Sequence, residues 1–144
     1  MGSLKNIIDE LAKHSLLVYF VIIWGASMFL YSVARLGTYG LSVEEITDVT
    51  WILGNIFDLG AGVFLMIFGI KLLITDFLDV IQTEKTLVYF LILWAGSFFF
   101  WGLDGLLSYS GLIFILGALG SFVAGIILAL FGWKLLNEKE SITT

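Results

Sequence analysis

Four long apolar runs alternate with short polar stretches along the chain. The first, over about residues 15–35, is roughly 30 Å long at the helical rise of 1.5 Å per residue, which matches the hydrocarbon core of a bilayer. The second runs from about 43 to 74, the third from 86 to about 107, and the fourth follows a turn at 108–111 and reaches Lys134. Each is expected to be a transmembrane helix. Ser42-Val43-Glu44-Glu45 reads as a capping box, with hydroxyl and carboxylate serving free amides at the start of the second helix. Ahead of the first run, Leu4, Ile7, Ile8 and Leu11 recur at helical spacing, with Lys5, Asp9, Glu10 and Lys13 between them. That pattern predicts an amphipathic helix over 3–14, lying in the headgroup region. The tail at 137–144 is polar and expected to fray.

The runs repeat one another. LVYFVIIWGASMF at 17–29 returns as LVYFLILWAGSFF at 87–99, and Ile7-Ile8-Asp9 with Leu11 aligns with Phe77-Leu78-Asp79 with Ile81. In the second half of the unit, Ile52–Gly54, Ala61-Gly62, Leu65, Phe68-Gly69 and Lys71-Leu72-Leu73 return as Ile115–Gly117, Ala124-Gly125, Leu128, Phe131-Gly132 and Lys134-Leu135-Leu136, after a shorter outer loop. Chance likeness between apolar helices does not explain matched Trp, Tyr, Gly and Lys in one order. The expected fold is therefore an all-α integral membrane domain over 1–144. It is a four-transmembrane-helix bundle made of two parallel tandem hairpin repeats, about 3–74 and 75–136. A short interfacial amphipathic helix precedes each hairpin, which places the second within the middle connection. Parallel repeats of this kind differ from the inverted repeats of many transporters.

Composition narrows the functional classes. The chain is 60% hydrophobic and 13% charged, against about 45–50% and about 25% for soluble domains. A net charge of −5 argues against nucleic acid, which needs a basic footprint. There is no Cys and one His, His14, so no thiolate chemistry and no multi-histidine metal or haem site is expected, and no cofactor. Without proline, close contacts and bends fall to 16 glycines. The first apolar run is too long for a signal sequence and is read as a retained span. Lys5, Lys13, Lys71, Lys85, Lys134 and Lys139 fall on one side of the spans and Arg35 on the other. The positive-inside rule then puts both termini and the middle connection in the cytoplasm, with the protein in the cytoplasmic membrane.

Charge inside the spans is where chemistry would reside. Asp58 lies in an apolar run, and an unpaired charge in hydrocarbon costs at least ~2.5–3.5 kcal/mol. Its repeat counterpart is Ser121; Asn55 matches Ala118, Arg35 matches Gly105, and Asp104 matches Ala34. Asp58 stands roughly 20 Å above Lys71 and Asp104 roughly 25 Å above Leu87 at the helical rise, so both approach Arg35 in the outer third of the bilayer. The three are expected to form a polar, water-accessible cluster or a structural ion pair, Arg35–Asp58 or Arg35–Asp104. Small residues at four-residue spacing, Gly54 and Gly62 in one helix and Gly117, Ser121, Gly125 and Ala129 in another, predict close helix packing. Trp51, Trp133, Tyr19 and Tyr89 suit interfacial belts. Trp24 and Trp94 lie deeper, where they fill the bundle or stack on a flat ligand such as a quinone.

Gly54-Asn55-Ile56-Phe57-Asp58-Leu59 with Gly62-Val63 resembles the pore-lining helix of large-conductance mechanosensitive channels. The likeness covers that one short run. Here it begins at the outer side, whereas in that family it lies at the cytoplasmic end of the first of two spans, so no residue role is carried over. Gly102-Leu103-Asp104-Gly105 departs from the G-x-G-D order of intramembrane aspartyl proteases, and no catalytic residue is assigned. The expected function is a channel or carrier component moving ions or protons past Asp58, with Asn55, Arg35, Asp104 and Ser121 as companions. The alternative is a non-catalytic accessory subunit of a larger membrane complex. Expected partners are the lipid bilayer and either further copies of the chain or other membrane subunits. A conduit should present Asp58, Asn55 and Ser121 to a cavity; a scaffold should bury them dry and hydrogen-bonded.

Overall fold

A computed structural model describes residues 2–39, 42–74, 83–108 and 110–143, with side chains over 4–38, 42–74, 84–108 and 110–137. Among these residues all regular structure is helical: α1 (Gly2–Ala12), α2 (Ser15–Tyr39), α3 (Ile46–Leu73), α4 (Thr83–Ser108) and α5 (Leu112–Thr143). Stretches of α2 to α5 are long and apolar enough to cross a membrane: Ser15–Thr38, Ile46–Leu73, Glu84–Ser108 and Leu112–Asn137. The second interfacial helix expected in the middle connection lies mostly outside the described residues.

Two helix ends differ from expectation. α3 starts at Ile46, not near Val43, because Asp48 does the capping. Its carboxylate accepts the backbone N–H groups of Glu44 and Glu45, each at 2.9 Å, and the Glu45 side chain accepts the Asp48 N–H in return, so the capping box forms three residues beyond the expected one. α5 continues through the tail that was expected to fray. Between α4 and α5 the chain turns at Gly111, whose φ of 113° is the left-handed region that glycine adopts without strain.

The four spans form a row, not a closed ring. α2 packs on α3, α3 on α4 and α4 on α5, and no contact of comparable extent joins α5 to α2 or α3. Contacts such as Phe64 with Tyr89 and Phe57 with Phe100 make α3 and α4 antiparallel, so α2 and α4 point the same way. The consequence is uneven burial. Only 11% of the membrane-length window of α5 is buried, against 33% in α3 and α4.

Glycines set the closeness of the hairpins. A Cβ added at Gly62 would lie 2.7 Å from the Gly25 carbonyl oxygen and 2.8 Å from the Phe29 nitrogen. One added at Gly125 would lie 2.8 Å from the Ala95 carbonyl oxygen and 2.6 Å from the Phe99 nitrogen. Further along, Gly69 meets Ile22 and Gly132 meets Ile92. These are residues that the two matching sequence runs align with each other.

The core gathers between α2, α3 and α4. Val21, Ala61, Leu65, Phe68 and Phe90 are buried there, and Ile8 joins them from α1. Leu4 and Leu11 pack alongside Ile8 while Ile7 is 62% exposed, so α1 turns Leu4, Ile8 and Leu11 inward. Trp24 meets Trp94 edge to face at 5.4 Å and Phe90 at 5.8 Å, and Phe90 stacks on Trp94 at 5.3 Å. The deep tryptophans thus fill the space between α2 and α4, the geometry aromatic pairs favour.

Candidate functional site

Polar groups collect along the seam between α3 and α4. On α3, Thr50, Gly54 and Asp58 recur every four residues; on α4, Ser97, Trp101 and Asp104 recur at four and three. Such spacings put each set on one helical face, and the antiparallel packing brings the faces together. The Asp58 carboxylate accepts a short hydrogen bond from the Ser97 hydroxyl on Oδ1, and one from Trp101 Nε1 on Oδ2 at 3.0 Å. Gly54 leaves room for the Trp101 indole, 3.1 Å from where a Cβ would sit. Beyond it, Thr50 Oγ1 donates to Asp104 Oδ1 at 3.1 Å, and is itself 2.9 Å from the Thr47 carbonyl.

Arg35 takes a different place from the one its charge implied. Among the described residues it pairs with neither Asp58 nor Asp104. Its guanidinium lies over the Trp101 ring at 5.7 Å and over the Tyr31 ring at 5.7 Å, and the residue is exposed. The indole therefore separates cation from carboxylate. Its electron-rich face meets Arg35 and its N–H edge meets Asp58, as the ring's quadrupole favours. A snorkelling Arg near the helix end keeps its hydration, which a buried ion pair with Asp58 would forfeit.

Asn55 is fully buried. Its Nδ2 donates to the Trp51 carbonyl at 2.9 Å, and its Oδ1 has no partner among the described residues. Ser121 is not part of the seam. It donates to the Phe98 carbonyl at 3.0 Å, inside its own hairpin, so Asp58, Asn55 and Ser121 do not converge on one space.

The expected small-residue stripes are only partly used. Gly62 meets α2, Gly54 meets α4, and Gly125 meets α4, but a Cβ at Gly117 would meet no described residue within 4 Å and Ala129 is exposed. At 3.6 residues per turn, a row spaced by four drifts about 40° per step. The ends of the α5 row therefore rotate off the seam, whereas α3 has a partner on each side to receive its row.

Ser97, Trp101 and Thr50 were not singled out from sequence, although Ser97 and Trp101 lie at i, i+4 on the face that leads to Asp104. Chemically the site is a carboxylate held by two neutral donors between two helices. No group of three His, Cys, Asp or Glu able to hold a metal occurs among the described residues. Two apolar grooves flank α5, of about 470 and 440 Å³, and neither is lined by Asp58, Asn55 or Ser121. No protein-family model matches the chain, and no curated protein or solved structure matches it either.

Proposed function

We propose that this multi-pass membrane protein is an assembly component, a non-catalytic packing subunit built from two tandem hairpin repeats, and not a conduit. The observation that carries this is the use made of Asp58. Both carboxylate oxygens accept hydrogen bonds from the neighbouring hairpin, through Ser97 and Trp101, so the charge fastens one hairpin to the other. Polar groups spent in this way join helices in a membrane. The lysine distribution supports cytoplasmic termini, with the Asp58–Ser97–Trp101 clamp in the outer third of the bilayer and α1 at the inner headgroups.

The second reading is a channel or carrier component for protons or small cations. It draws on Asn55, whose buried Oδ1 lacks a partner one turn from Asp58 and so offers an acceptor to water or a cation. Proton and potassium flux through the purified protein in liposomes separates the two. Assembly predicts flux at the level of empty vesicles, for the parent chain and for Asp58→Ser alike. Flux in the parent that falls in Asp58→Ser replaces the assembly reading with the conduit.

A further inference from the structure

We infer that the open side of α5 and the outer side of α2 are two halves of one interface, through which copies of this chain join head to tail. The inference rests on the assembly reading and names its partner as a second copy. The template is the contact between α3 and α4 inside the molecule. There Gly54 faces Trp101, Phe57 packs on Gly96, Asp58 accepts from Ser97, Gly60 faces Leu93, and Phe64 meets Tyr89.

The matched runs carry the α3 side of that contact onto α5 as Gly117, Gly120, Ser121, Val123 and Ile127. They carry the α4 side onto α2 as Tyr31, Ala26, Ser27, Ile23 and Tyr19. Both derived faces are open. Among the described residues nothing lies within 4 Å of a Cβ built at Gly117 or Gly120, and Val123 and Ile127 are 44% and 62% exposed. On α2, Tyr19, Ile23 and Tyr31 are 52%, 67% and 64% exposed.

Exposure of apolar groups carries no weight by itself, since lipid tails are as apolar as leucine. The matched groove carries the argument. Between α2 and α3 the groove formed by Met28, Ala61, Phe64, Leu65 and Phe68 is filled from α4, with Phe90 and Leu93 packed against it. Its counterpart between α4 and α5, formed by Phe98, Ala124, Ile127, Leu128 and Phe131, stands open with about 440 Å³ of space. The side chains that match the filling pair are Phe20 and Ile23, and both point outward from α2, Phe20 at 58% exposure. Repeating the step that relates the hairpins therefore seats α2 of a second copy on α5 of the first. Such a contact is heterologous and extends as a ring or an open row. Ser27 meeting Ser121 replaces Ser97 meeting Asp58, so the junction between copies holds a neutral hydroxyl pair where the internal one holds a charge.

The chain has no cysteine, which makes the test direct. Ile23→Cys and Val123→Cys, the counterparts of Leu93 and Gly60, are placed in one chain or in separate chains. The purified proteins are reconstituted in phosphatidylethanolamine–phosphatidylglycerol vesicles and treated with a short bifunctional thiol reagent. Helix content by circular dichroism confirms that the variants fold. The double variant is expected to give a ladder of dimers and higher species, a mixture of the two single variants dimers only, and either single variant alone nothing. Dimers from one single variant alone indicate a two-fold contact and overturn the inference. Links to a different protein in native membranes, with none between purified copies, overturn it but keep the assembly reading. Absence of links in both settings overturns both.

Discussion

In the first hairpin, α3 is held on both sides, by α2 through Gly25 and Gly62 and by α4 through Asp58 and Gly54. In the second, α5 is held on one side only, by α4 through Gly125, Ser121 and Gly132. Within each hairpin the close approaches fall on matching residues, so the hairpin contact is not what separates the halves. The second neighbour is. A carboxylate in a span needs donors, and Asp58 obtains both from α4. Ser121 has only its own hairpin partner, and a hydroxyl that donates to one backbone carbonyl needs nothing further. The difference in side chain at the matched position thus follows from the difference in surroundings.

The sharpest way to break this comparison is to add one methyl group at each matched close approach. Gly62→Ala drives a Cβ against the Gly25 carbonyl and the Phe29 amide, and α3 cannot retreat because α4 stands behind it. We expect a loss of about 3 kcal/mol or more, the upper end for overpacking. Gly125→Ala meets the same kind of backbone atoms, but α5 is free to move outward, and about 1–2 kcal/mol is expected. Gly117→Ala meets nothing and should be neutral or slightly stabilising. Denaturant titration in mixed detergent micelles reads all three. Equal losses at Gly62 and Gly125 would show that the second neighbour adds no constraint.

Removing the clamp is the next largest effect. Asp58→Ala strands the Trp101 N–H and the Ser97 hydroxyl, and we expect a loss of about 1–3 kcal/mol. Asp58→Ser, which copies the second hairpin, keeps an acceptor and should lose about half as much. A double-mutant cycle of Asp58→Ala with Trp101→Phe isolates their coupling, expected at about 0.6–1.7 kcal/mol for a bond between spans. Coupling near zero would mean that the hydrogen bond is incidental to the packing. Thr50→Val removes a single bond from the seam and should lose about 0.6 kcal/mol, the average for such bonds.

How much of this was readable beforehand follows from the physics of each feature. Hydrophobic run length against bilayer thickness located all four spanning helices, and helical spacing located α1, because both signals are local. The start of α3 was misplaced since Ser42 with Glu45 and Glu45 with Asp48 both offer a capping box, and only the fold shows which pair forms. Asp58 stood out because a charge in an apolar run is expensive wherever it sits. Its partners did not, because Ser97 and Trp101 are ordinary in a membrane helix until a specific neighbour faces them. Arg35 was expected in a polar cluster with Asp58 and Asp104 or in an ion pair with one of them. The interposed indole depends on the rotation of α4 about its axis, which no spacing within one helix fixes. The stripe on α5 failed at its ends for the same reason, since four-residue spacing identifies a row but not where a partner leaves it.

The smallest expected effect concerns Asn55, and it bears on whether the first hairpin carries anything beyond packing. Its counterpart Ala118 lies close to Gly102, so the second hairpin closes there without an amide. The Asn55 Nδ2 donates back to the Trp51 carbonyl, four residues earlier in the same helix. Losing that bond removes little, because a carbonyl in mid-helix already receives a backbone N–H. The unpartnered Oδ1 is the larger liability, since a buried acceptor without a donor is destabilising. Replacing such a group by an apolar one of similar shape is near neutral or favourable. Asn55→Leu should therefore change stability by less than about 1 kcal/mol, in the stabilising direction. Denaturant midpoints of parent and variant at equal detergent concentration decide the sign. A clear destabilisation would mean that Oδ1 holds water or an ion in the membrane, and would move the conduit ahead of the assembly component.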